Sequence, residues 1–141
     1  MTERSDDVDL SVLPAAAPDA LDLPMWQGCR RGELLIHRCD LCGRVSWPSW
    51  SCSEHGGQAM SWVRAAGTGT LHTFTVYHHA YSPSARPTPY VVAIVRLDEG
   101  PDLHTSIVGC APDECRIGMR VAVEFEVHPE GYSLPVFRPV G

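Results

Sequence analysis

From residue 60 onward, short apolar runs alternate with turn compositions. The clearest run is Val-Ala-Val-Glu-Phe-Glu-Val at 121–127, where Val121, Val123, Phe125 and Val127 share one face and Ala122, Glu124 and Glu126 the other. A period of two predicts a strand with one buried and one wet face. The run at 90–97 is apolar on both faces except at Arg96, the pattern of a central strand covered on both sides. Further runs at 61–65, 70–77 and 103–108 bring the set to five strands. Gly- and Pro-containing segments separate them, the longest being the stiff, extended stretch 80–89 with Pro83, Pro87 and Pro89. Short strands at this spacing predict a small barrel or sandwich. A turn of helix offered by 111–119, between the fourth and fifth strands, fits a five-stranded Greek-key barrel of OB type.

Ahead of these strands the pattern changes. Residues 1–22 contain no aromatic side chain and carry Glu3, Asp6, Asp7, Asp9, Asp19 and Asp22 against Arg4, so they predict a mobile acidic tail. Met25 and Trp26 have a short helical spacing that ends at Gly28 or Gly32, and 33–39 reads as a strand. That strand leads into Cys39-x2-Cys42, and after nine residues comes Cys52-x2-His55. Two hairpin knuckles offering three thiolates and one imidazole predict a zinc ribbon. Four such ligands fill a tetrahedral shell, and a filled shell has no position for water, so the zinc is expected to be structural. Glu54 stands beside His55, but a carboxylate matches a three-thiolate site less well. If His55 did not ligate, the shell would have an open position. The domain reading is therefore a tail at 1–22, helix and ribbon at 23–59, and the barrel at 60–141.

Charge narrows the function classes. Of the net charge of −6, the tail accounts for −5 (six acids against one arginine), so the remaining body is nearly neutral. All eleven basic residues are arginine. A Schiff-base lysine and a phosphate-loop lysine are thereby excluded. OB barrels and zinc ribbons also serve nucleic-acid binding, but a neutral body without lysine argues against it, because phosphate binding needs many cationic contacts. No apolar run approaches the roughly 20 residues that span a bilayer, and the acidic start lacks the features of a signal peptide. The expected location is cytoplasmic, away from any membrane. Six cysteines allow three disulfides, but the paired half-sites fit metal better, which leaves Cys29, Cys110 and Cys115 as reduced structural thiols.

Other residues carry open readings. His78 and His79 read either as an acid/base pair or, with no carboxylate or nucleophile at recognisable spacing, as neighbours on opposite faces of a strand end. Trp26, Trp47, Trp50 and Trp62 crowd the ribbon region. Trp62 fits a core position, whereas Trp26 and Trp47, with Tyr81 and Pro87 of the proline-stiffened loop, are candidate anchors for a partner. No catalytic residue is assigned.

The collinear order of Met-Trp-Gln-Gly-Cys-Arg-Arg-Gly at 25–32, the Cys39/Cys42 and Cys52/His55 half-sites, 69–79, 89–100, 106–126 and the ending 134–140 resembles the DUF35 family of acyl-CoA metabolism. The likeness spans residues 24–139. It implies a rubredoxin-like zinc ribbon followed by an OB barrel. It also implies a non-catalytic accessory subunit that partners a thiolase-fold enzyme, whether a thiolase, a hydroxymethylglutaryl-CoA synthase or a thiolase-like steroid side-chain aldolase. Two copies are expected on a dimer of that enzyme, with acyl-CoA at the interface. The family's ribbon usually holds four cysteines, and here His55 stands in the last position.

Overall fold

The computed structural model describes residues 23–46, 52–56, 59–80, 86–128 and 131–140. These include one helix, α1 (Leu23–Arg31), and the strands β1 (Leu35–Cys39), β2 (Val45–Ser46), β3 (Met60–Arg64), β4 (Thr68–Tyr77), β5 (Tyr90–Leu97), β6 (Asp102–Ile107), β7 (Arg120–Val127) and β8 (Ser133–Pro139). They divide between two compact units, Met1–Ala65 with Phe125–Pro135, and Ala66–Glu124 with Val136–Gly141. The acidic segment expected as a tail lies outside the described residues.

In the first unit α1 runs through Gly28 and stops at Gly32. The Glu33 N–H donates to the Gly28 carbonyl at 2.8 Å and the Gly32 N–H to the Cys29 carbonyl at 3.2 Å, a Schellman cap that satisfies two carbonyls the helix leaves open. Arg30 and Arg31 in the last turn suit the negative end of the helix dipole. Met25, Trp26 and Cys29 form a buried cluster with Tyr132, against which Trp62, Phe125 and Leu134 pack. Beside it lies an antiparallel sheet of order β2-β1-β3, with His37 opposite Ser46 on one side and Trp62 on the other.

The second unit is built on a closed barrel of order β4-β5-β6-β8-β7, with β4 pairing β7 to complete the ring. Counted along the chain, the order is first, second, third, fifth, fourth. The third and fifth strands run parallel at Ile107 opposite Phe137, whereas β4–β5, β4–β7 and β5–β6 pair antiparallel. Val91, Ala93, Val95 and Leu97 of β5 point into a core shared with Leu71, Leu103, Val121, Val136 and Phe137.

Two strand assignments differ from the sequence reading. The run at 61–65, expected as the first barrel strand, is β3 of the ribbon sheet, paired along β1 from Leu35–Arg64 to Cys39–Met60. The fifth barrel strand is β8, whose Pro135 and Pro139 mask it, since proline weighs against a strand assignment. In β7 the apolar face narrows with distance: Val121 is fully buried, Val123 and Phe125 are half-buried, and Val127, at the strand's end, is 73% exposed.

Candidate metal centre

The two half-sites are built as copies. In the first, Cys39 ends β1; its N–H donates to the Arg44 carbonyl at 2.9 Å, and the Gly43 N–H donates to the Cys39 carbonyl at 2.7 Å. In the second, Cys52 and Gly56 exchange backbone hydrogen bonds of 2.9 Å in each direction. Both follow ligand-x-x-ligand-Gly, and both glycines have positive φ, 75° at Gly43 and 65° at Gly56. Only glycine takes that conformation without strain, and it lets the chain reverse immediately after the second ligand. The repeated Gly is readable in Cys-Asp-Leu-Cys-Gly and Cys-Ser-Glu-His-Gly, a signal beyond the ligand spacing.

The knuckles bring Cys39, Cys42, Cys52 and His55 together, their ligand atoms all within 4.8 Å of one another. Cys39 Sγ and Cys52 Sγ lie 3.6 and 3.7 Å from His55 Nδ1, and Cys42 Sγ lies 3.7 Å from Cys52 Sγ. Zinc bonds of about 2.3 Å to sulfur and 2.0–2.1 Å to nitrogen give tetrahedral edges of about 3.8 Å (S to S) and about 3.6 Å (S to N). These edges and the soft donor set fit a tetrahedral metal. Glu54 turns instead to Arg44, at 3.4 Å, and Arg44 also donates to the Ser53 hydroxyl at 2.6 Å.

The electrostatics favour a cation. The backbone N–H of Glu54 draws the Cys52 thiol down to about 6 against desolvation, with the His55 ring and backbone adding to the effect. The Arg44 N–H pulls on Cys42 in the same direction, but desolvation and the neighbouring sulfurs of Cys52 and Cys39 outweigh it, so that thiol is raised. Negative charge on one sulfur therefore opposes its neighbour, a conflict that a bound dication relieves.

The remaining singled-out residues are not gathered at this cluster. Trp26 is 6% exposed and meets Tyr132 edge-on at 5.8 Å, within this unit's buried cluster. Trp62 is half-buried and lies 3.7 Å from the buried imidazole of His37, a support that the alternating pattern of β1 gave no reason to single out. Pro87 is exposed, as are His78 and His79 just beyond β4; Trp47, Trp50 and Tyr81 lie outside the described residues. Burial pushes the Cys29 thiol up to about 12, consistent with an inert core position.

A ribbon that gathers three cysteines and a histidine and a closed five-stranded OB barrel define a class of small two-part β proteins. The particular family follows from similarity: residues 62–126 match the family described as "ChsH2, C-terminal OB-fold domain". A "DUF35 domain-containing scaffold protein" of Methanocaldococcus jannaschii is 31% identical over 110 residues, covering 76% of this chain and 78% of that one. The chain belongs to the DUF35 family. A "Probable enoyl-CoA hydratase alpha subunit" of Thermomonospora curvata is 38% identical over 141 residues, 98% of this chain, which spans only 43% of that relative's length. A chain of the solved "Ltp2-ChsH2(DUF35) aldolase" is 39% identical, with a TM-score of 0.79 over 90% of this chain and 98% of that one.

Proposed function

We propose that this protein is a non-catalytic subunit of an acyl-CoA-processing complex, seated on a thiolase-fold enzyme that supplies the reacting groups, with two copies on a dimer of that enzyme and acyl-CoA at the interface. The observation that carries the reading is the likeness to a chain of an aldolase complex over 98% of that chain's length. The scaffold description of the archaeal relative supports the same role. The hydratase named for the Thermomonospora relative is a protein of which this chain spans less than half, so hydration is not assigned to these residues. A thiolase-like lyase acting on a steroid side chain is the reaction class that best joins these similarities with the family resemblance.

Within that role the metal is zinc, held by Cys39, Cys42, Cys52 and His55, and it works as a staple. When bound, it neutralises the thiolates and locks two knuckles that have little apolar content of their own. The test is co-expression with a thiolase-fold enzyme encoded nearby, followed by size-exclusion chromatography and a retro-aldol assay on acyl-CoA. Co-elution, with lyase activity dependent on both chains, is expected. Separate elution, with the enzyme equally soluble and active alone, overturns the proposal.

A further inference from the structure

A second pair of sulfurs meets in the connection from β6 to β7. Cys110 and Cys115 flank the 3₁₀ turn Pro112–Glu114, and their Sγ atoms are 3.9 Å apart. The turn maintains this approach. The Glu114 N–H donates to the Ala111 carbonyl and the Glu114 carboxylate accepts from the Ala111 N–H, both at 2.9 Å, while the Cys115 N–H donates to the Pro112 carbonyl at 3.3 Å. Arg116 Nη1 holds the far side, donating to the carbonyls of Asp113 at 2.8 Å and Cys115 at 2.9 Å. Cys115 is 3% exposed, whereas Cys110 is only half-buried. An oxidant in water therefore reaches one thiol of the pair and not the other.

We propose that Cys110 and Cys115 are a redox-active dithiol that closes reversibly to an intramolecular disulfide, with a hydroperoxide as the oxidant. The Cys110 thiolate attacks the peroxide, the O–O bond breaks, and Cys110 becomes a sulfenic acid. The Cys115 sulfur then attacks the Cys110 sulfur, the S–S bond forms and water leaves. Starting from two thiols and hydrogen peroxide, the sum is one disulfide and two waters: the sulfurs lose two electrons, and their two protons end in water. Burial, followed by the neighbouring Cys110, pushes the Cys115 thiol up to about 11, so it waits as a thiol and serves as the resolving partner. Closure shortens 3.9 Å to about 2.05 Å, within reach of side-chain rotation. A dithiol reductant reopens the bond by exchange.

Peptide mapping tests this on the full-length, metal-loaded chain, treated with hydrogen peroxide and then alkylated under denaturing conditions. Trypsin cuts after Arg96 and Arg116, which places both cysteines on one peptide, 97–116. The expected peptide is unalkylated and about 2 Da lighter than its reduced form, the two hydrogens lost in forming the disulfide. Dithiothreitol restores both alkylations. In Cys115→Ser, a dimedone adduct accumulates on Cys110; in Cys110→Ser, Cys115 stays unmodified. Oxidation of Cys39, Cys42 or Cys52 while 110 and 115 remain alkylatable overturns the proposal. So does an intermolecular disulfide, or modification of Cys115 in the Cys110→Ser protein.

Discussion

A shell of three sulfurs and one ring nitrogen has no ligand to spare, which makes the knuckle residues sharply unequal. On the proposed assignment, His55→Cys keeps one metal per chain, because a fourth thiolate completes the shell equally well. His55→Ala opens it, and zinc affinity is expected to fall by more than about 100-fold, beyond what it costs to remove a group that only hydrogen-bonds a ligand. Glu54→Gln is the control: its carboxylate lies on Arg44 at the surface, so affinity should stay unchanged. Competition against a chromophoric chelator measures all three. Gly56 isolates the backbone contribution, since a Cβ there meets nothing within 4 Å and only its φ of 65° opposes a side chain. Gly56→Ala should cost about 1–2 kcal/mol in denaturant unfolding of the loaded protein, and Gly56→Asn less.

The β4–β7 seam that closes the barrel is also bridged from a turn. Asp98, between β5 and β6, accepts from the two terminal guanidinium nitrogens of Arg120 on β7 at 2.7 and 2.9 Å, and from the Thr68 hydroxyl on β4. Arg120, and after it Thr68, hold the Asp98 carboxyl well below the usual carboxylate range. A lowered folded value means the ionised form stabilises the fold fully above the ordinary value of 3.8, and that contribution fades as pH falls toward the folded value. Asp98→Asn should therefore lower the urea midpoint at pH 7 slightly, as befits an exposed pair, and the gap should narrow as pH falls below 3.8 and close only as it nears the folded value. A gap that widens in acid would contradict this origin. The elements themselves were legible in unequal measure. The start of β7 carries its burial as alternation, β5 shows itself as a continuous apolar run, and the ligands declare themselves by spacing. In β4 the buried Leu71 and the half-buried Phe74 and Val76 break the period by one residue, which is the β-bulge between Leu71 and Thr73. β8 was hidden by its prolines. Nothing local tells β3 to join the ribbon sheet, because a strand's partner is chosen by long-range pairing that composition does not encode.

At the scale of the whole molecule, charge and metal each make a prediction. Among the described residues Arg31, Arg44, Arg96, Arg120 and Arg138 are each paired with a carboxylate, so much of the chain's small cationic complement is already neutralised. Single-stranded DNA or RNA should show no salt-sensitive binding by fluorescence anisotropy at physiological ionic strength, whereas a micromolar, salt-dependent affinity would restore the nucleic-acid reading. Metal removal should act on the two units unequally. The barrel buries Leu71, Leu97, Leu103, Val95, Val121, Val136 and Phe137 at or below 2% exposure, a core that owes nothing to the cysteines of the knuckles. The ribbon sheet has the two-residue β2 on one edge and two glycine-turned knuckles whose side chains converge on a proposed cation. Structural zinc contributes folding free energy directly, about 10–16 kcal/mol in small finger peptides, so its loss should release the ribbon first. Hydrogen exchange followed by mass spectrometry, before and after a strong chelator, resolves this by segment. Amides of 35–46, 52–56 and 59–64 should lose protection while those of 91–97 and 103–107 keep theirs, and re-addition of zinc should restore the first set. Simultaneous loss in both segments would mean that the metal supports the barrel as well, and retention in both would remove its structural role.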